Sequence, residues 1–221
     1  MKKLSISLLA SSLLFAAGSA HAAKPAKASG SPSAKPAAQS AAVQSAQPAK
    51  DTTPPSYDMK PQSLLDLEAL NKKFVSLAEA VPAEKFNWHP SDDTRTFAQL
   101  FLHVSGERYG FLGLIAPKPE IDFKTYEKST TDKAQIIAEL NKSWEYTRDT
   151  ITKMTNADFN VAQPKLGPDA NKGDVIYLLV ADAHEHMGQA IAYARANGIV
   201  PPWTVAAAAQ AAKQKDQTQK Q

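Results

Sequence analysis

Gly173 to Gly198 reads GDVIYLLVADAHEHMGQAIAYARANG, and this stretch decides the fold class. Advancing about 100° per residue from Asp182, the side chains of Val175, Leu179, Ala183, Ala190, Tyr193 and Ala194 fall between roughly 20° and 120°. One apolar face over so long a run specifies a helix that packs on others. The pair Asn197-Gly198 ends it, and Pro201-Pro202 lies just beyond.

Working outward, three more segments carry the same period. The first spans about 61–80, with Leu64, Leu65, Leu67, Leu70, Phe74, Leu77 and Ala78 on its apolar side, Gln62 or Ser63 near its cap, and Pro82 after its end. The second begins near Thr96 and runs through Leu100, Val104, Phe111, Leu114 and Ile115 until Pro117 stops it. The third starts at Thr131-Asp132 and continues to about Met154 through Ile136, Ile137, Leu140, Trp144, Tyr146 and Ile151. No alternating β-branched run bounded by hairpin turns occurs. Four such helices predict an all-α, four-helix bundle. The connection over 116–129 is longer than adjacent antiparallel helices need, which predicts a long crossover.

The flanks are of another kind. Lys2 and Lys3 precede an uncharged apolar run from Leu4 to Ala17, closed by Ala20-His21-Ala22. That is the layout of a signal peptide over 1–22 with cleavage after Ala22, and the run is shorter than the roughly 20 residues of a membrane span. Residues 23–58 are mostly Ala, Pro, Ser, Lys and Gln, too poor in apolar surface to offset the entropy of ordering, and are expected to form a disordered tether. The domain is then 59–204, of ordinary single-domain size, and 205–221 is a flexible tail, helical in part over its alanine run, without an apolar stripe for docking. A periplasmic or secreted protein with no membrane span after processing is expected.

The chain contains no cysteine, which removes thiolate nucleophiles, Cys-based zinc sites and iron–sulfur clusters. The formal charge is +3, and its lysines are scattered without interleaved aromatics, so nucleic acid is not an expected partner.

Polar residues on inward helix faces are the remaining signal. His186 lies at roughly 40° on the last helix, within its apolar face, and Asp182 borders that face one turn earlier. His184, at roughly 200°, points to solvent. On the second helix His103 sits at the edge of the apolar face with Glu107 one turn further on. Two helices thus each present an acid and a histidine at i and i+4, a set suited to a divalent zinc, nickel, iron or manganese ion. Blander readings stand beside it. An inward histidine is more often a hydrogen-bonded core residue, Glu107 can pair with Arg108 or a lysine, and Asp182 can cap a loop or pair with a base. His89, between Trp88 and Pro90, reads as a turn residue. Arg148, Arg195 and Tyr109 read as solvated surface before substrate contacts.

Three stretches resemble the DinB family: VPAEKFNWHP at 81–90, LFLHV at 100–104, and HMGQ at 186–189 continuing through YARANGIVPP at 193–202. The resemblance covers about 59–203. It implies a four-helix fold with a long crossover and a divalent metal held by three histidines, one on the second helix and two spaced H-x-x-x-H on the last. His103 matches the first of these and His186 the later of the pair, while the earlier position of the pair is Asp182. The expectation is that Asp182 replaces that imidazole as an oxygen ligand, because a decayed site would more simply carry a neutral or apolar residue. The activity expected of such a donor set is that of a metal-dependent hydrolase or transferase, with Glu107 as base or orienter and coordination positions left for water or substrate. The alternative is a metal-free periplasmic module that binds a small molecule or acts in stress, as a homodimer in one version.

Overall fold

The computed structural model describes residues 58–219. The expected signal peptide, and all of the expected tether except Asp58, lie outside them. The described residues form five α-helices: α1 (Met59–Ala80), α2 (Phe97–Leu112), α3 (Lys133–Lys153), α4 (Lys172–Ala196) and α5 (Pro202–Thr218). They contain no strand, only an isolated bridge between Ala162 and Asn171. None of these helices is long and apolar enough to cross a membrane.

Local chemistry sets the helix ends. Asp58, rather than Ser63 or Gln62, caps α1 by accepting from the Lys60 backbone N–H. Thr96 and Gln99 form a reciprocal capping box on α2, Asp132 caps α3, and Asn171 with Asp174 forms a second box on α4. At the far end of α4, Gly198 takes φ 72°, open to glycine without a Cβ penalty. The backbone N–H groups of Gly198 and Ile199 then reach back to Arg195 and Ala194, a complete Schellman closure.

α1 and α3 run antiparallel, and each supplies a lysine to the other's C-terminus. Lys60 Nζ donates to the carbonyls of Thr152 and Met154 at 2.8 and 2.6 Å, and Lys133 Nζ to those of Glu79 and Val81 at 2.6 and 2.8 Å. Both cations sit where the helix dipole favours positive charge. α1 and α4 are parallel, since Met59 and Asp66 of one lie beside Gly173 and His184 of the other. α2 and α4 are antiparallel, Phe97 packing on Tyr193 and His103 meeting His186. α2 and α3 are parallel: Arg108 reaches Leu140, and further along both helices Ile115 lies near Thr150 and Met154. The topology is therefore up-down-down-up, and the segment from Gly113 to Asp132 has to travel back along the bundle before α3 can begin. On that return a short 3₁₀ turn, Tyr126–Lys128, packs against α2. The approach is close because Gly106 has no side chain; a Cβ there would stand 3.2 Å from the Tyr126 ring.

The core is continuous through the four helices, with Phe74, Leu77, Phe97, Leu100, Phe101, Leu112, Ile136, Leu140 and Ile176 sealed from solvent. The connection between α1 and α2 adds Phe86 and Trp88 to an aromatic group with Phe97, Phe101 and Tyr193, with ring centroids 5.5 to 6.1 Å apart. Such pairs add about 0.5–1.5 kcal/mol each beyond burial. Leu65, read above as part of the α1 apolar face, is instead 63% exposed: it lies about 200° around the helix from the buried Leu67. α5 takes up most of the expected tail, with its alanine run exposed; Trp203 at its start packs on the core and lies under Lys73 of α1.

Candidate metal centre

The antiparallel crossing of α2 and α4 carries the most concentrated chemistry. The α4 capping box and the apolar stripe behind it set the rotation that turns Asp182 and His186 inward, and the packing of α2 brings His103 opposite them. Ligand-capable atoms of His103, Asp182 and His186 all lie within 4.8 Å of one another. His103 Nε2 is 3.0 Å from His186 Nε2, and Asp182 Oδ1 is 3.3 Å from that same His186 nitrogen. A tetrahedral shell with bonds of about 2.1 Å separates its ligand atoms by about 3.4 Å, so the spacing fits a small divalent ion.

The hydrogen bonds behind the rings make the argument chemical. His103 Nδ1 lies 2.6 Å from Glu127 Oε1, a carboxylate oxygen that only accepts, so Nδ1 carries the proton. His186 Nδ1 lies 3.0 Å from Gln189 Oε1, whose amide is oriented by donating from Nε2 to the Tyr193 hydroxyl at 3.1 Å. In its neutral form each ring therefore turns an unprotonated Nε2 inward. Two lone pairs face each other beside a carboxylate, and Glu107 Oε1 adds another acceptor 3.8 Å from His103 Nε2. Acceptors facing acceptors in a buried place repel unless a proton or a metal ion lies among them.

The electrostatics agree. Burial acts to lower the His186 pKa, but the hydrogen bond and charge of Asp182 outweigh it and raise it above the ordinary value. Burial raises the Glu107 carboxyl; His103 pulls it back, and the nearby Asp182 charge adds to the rise. Burial would also raise Glu127, yet hydrogen bonds from His103 and Arg95 win and hold it at about 2. Arg95 grips that carboxylate at two points, Nε to Oε2 at 2.8 Å and Nη2 to Oε1 at 3.2 Å.

The other polar candidates separate from this group. His184 points outward and meets Asp66 at 2.8 Å, and His89 contacts its own turn at Ser91 O. Arg148 is exposed beside Asp149, and Arg195 is exposed. Tyr109 is not surface at all: it is fully buried, donates to Glu139 at 2.9 Å, and is raised well above the ordinary phenol range, first by burial. Arg108 does not pair with Glu107; it is 1% exposed and points into the core on another side of α2. Glu127 and Arg95 were missed by helical spacing because neither lies on a long helix. A cavity of about 490 Å³ lined by Ile115, Tyr146, Lys153 and Met154 lies toward the far ends of α2 and α3, away from the histidines.

Fold and donor set together define an all-α bundle with a candidate His–carboxylate cation site between its second and fourth helices. The model of the DinB superfamily matches residues 66–190, and the chain belongs to that superfamily. Among solved structures, it is similar to a DinB-like protein from Bacillus cereus, with a TM-score of 0.54, 14% identity, and coverage of 64% of this chain and 95% of that one. It is also similar to a conserved protein from Enterococcus faecalis, with a TM-score of 0.52, 14% identity, and coverage of 63% and 97%. At such identity the likeness concerns the fold. No curated protein matches the chain.

Proposed function

We propose that the protein is an exported divalent-metal protein, with His103, Asp182 and His186 as ligands to zinc, nickel, iron or manganese and a hydrolase or transferase activity. The observation that carries this reading is the approach of the two imidazole Nε2 atoms to 3.0 Å beside the Asp182 carboxylate, each ring having its Nδ1 turned to an acceptor oxygen. Such an ion supplies Lewis acidity, polarising a bound oxygen. The chain's own residues do the rest: the two imidazoles and Asp182 bind, and Glu107, half-buried and with a raised pKa, accepts a proton at Oε1. Membership of the DinB superfamily supports metal binding; the reaction class rests on the donor set alone. Export rests on the sequence of residues 1–22, and a mature chain beginning at Ala23 is the mass expected from the periplasm or the medium.

The test is elemental analysis of the chain purified without a histidine tag, with melting before and after a chelator. Stoichiometric metal that disappears in His103→Ala and His186→Ala, with a chelator-sensitive melt only in the unaltered chain, supports the reading. Absence of metal after incubation with each of the four ions, with an unchanged melt, sinks it. A second reading has one observation in its favour: the raised His186 beside Asp182 allows a proton to fill the same place, leaving a metal-free binding or stress-associated module.

A further inference from the structure

The return segment between α2 and α3 does more than connect helices. Because α2 and α3 are parallel, this segment passes back along α2 and delivers Glu127 to the outer nitrogen of His103, which no helix of the bundle reaches. Glu127 is fastened from three sides. Its carboxylate takes two hydrogen bonds from Arg95, at 2.8 and 3.2 Å, and lies 2.6 Å from His103 Nδ1. Its neighbour Tyr126 donates to Glu139 Oε1 at 2.8 Å, on the same oxygen that accepts from Tyr109 at 2.9 Å. The Tyr126 ring lies on Gly106, one turn of α2 beyond His103. So a segment outside the four helices is pinned at the height of the candidate centre, and its Glu127 meets the ring position of His103 that faces away from the ion site.

The geometry points to Glu127 as a positioning residue: it holds His103 in the Nδ1–H tautomer with Nε2 turned inward, and so ties the 126–128 turn to the state of the centre. A carboxylate behind a ligating imidazole fixes the ring and raises its basicity, and losing one weakens metal binding by about ten- to a hundredfold. Arg95 acts through Glu127, keeping both carboxylate oxygens in place. In its metal-dependent part this rests on the metal reading of the site; the tautomer does not.

Two measurements test it. The first is the ¹⁵N shift pattern of the His103 ring in the metal-free full chain near neutral pH. The Nδ1–H form is expected, and the Nε2–H form overturns the assignment whether or not the protein ever binds an ion. The second is the affinity for zinc, by competition with a chromophoric chelator, of the unaltered chain and Glu127→Gln, with hydrogen exchange of the 126–129 amides with and without zinc. A loss of about tenfold or more with an unchanged metal-free melt is expected, as is slower exchange of those amides on zinc addition in the unaltered chain. Equal affinities overturn the positioning role while leaving the metal reading intact. If Glu127→Gln does not fold, the exchange measurement on the unaltered chain decides: zinc that binds without slowing the turn refutes the coupling. No zinc binding by the unaltered chain refutes the metal reading and this coupling together.

Discussion

α2 carries two polar interiors five residues apart, and they are built on opposite logic. Around Arg108 a donor meets acceptors: Nη1 donates to Asn71 Oδ1 at 3.0 Å, Leu140 O at 2.9 Å and Ser143 Oγ at 3.0 Å, while Nη2 is left without a partner. Burial lowers this guanidinium to about 10, which leaves it charged at neutral pH. Around His103 acceptors meet acceptors, with two imidazole nitrogens and a carboxylate turned on one another. The Arg108 group finds acceptors within the chain for Nη1, though not for Nη2, and its job is to join α1, α2 and α3. The His103 group is completed only by a proton or an ion. Buried polarity that closes on itself reads as structure; buried polarity that leaves the same sign facing inward reads as a site.

That contrast is broken most severely at Arg108. Arg108→Ala removes the donor, strands Asn71 and Ser143 and opens a void, so a loss of about 3 kcal/mol or more is expected in urea unfolding. The loss should be the same with and without zinc. The centre should behave in the opposite way. Zinc at about a hundred times its Kd should stabilise the unaltered chain by about 2.7 kcal/mol, and His103→Ala should abolish that gain. In the metal-free chain His103→Leu should cost no more than about 1.5 kcal/mol, because the lost hydrogen bond to Glu127 is partly offset by removal of one of two opposed lone pairs. A His103→Leu chain that melts far below the unaltered one without metal would mean that the pair is structural.

pH sharpens the same comparison. The folded His186 pKa is raised, chiefly by Asp182 against the effect of burial. The stability it contributes is thus fully present below about 6.5, the unfolded value, and is lost as pH rises through the folded value. Metal-free chain should lose stability across that window, and Asp182→Asn should flatten the slope. Zinc affinity should rise over the same window, because the ion displaces the proton. Urea unfolding from pH 5.5 to 8.5, with and without zinc, reads both trends.

How much of this was legible in the sequence depends on whether a residue sits on a helix with a solvent side. α4 has one, and about 100° per residue was enough to turn Asp182 and His186 inward and His184 outward. α3 and α1 behave similarly, apart from Leu65. α2 does not, because the return segment covers the flank that would otherwise face water, and Ser105, Gly106, Arg108 and Tyr109 are all buried. A helical wheel assumes one wet face, so it put Tyr109 at the surface and offered Arg108 to Glu107. The length of the connection announced a crossover, but its register along α2 comes from tertiary packing. Glu127 was therefore invisible, although the parallel run of α2 and α3 explains why some residue of that segment had to pass His103.

The smallest expected effect comes from the two histidines of α4 that stand two residues apart. His184 shares its helix and its chemistry with His186, yet about 200° of rotation places it on the outside, with its side chain 54% exposed and its Nε2 2.8 Å from Asp66. An exposed pair of this kind contributes about 0–1 kcal/mol. His184→Ala should therefore change urea stability by less than about 1 kcal/mol and leave zinc affinity within about twofold, or under about 0.5 kcal/mol, whereas His186→Ala should abolish stoichiometric uptake. A large loss of zinc affinity in His184→Ala would mean that the outward histidine takes part in binding. The centre would then have to be rebuilt around the α1–α4 surface, where Asp66 is the acid within reach.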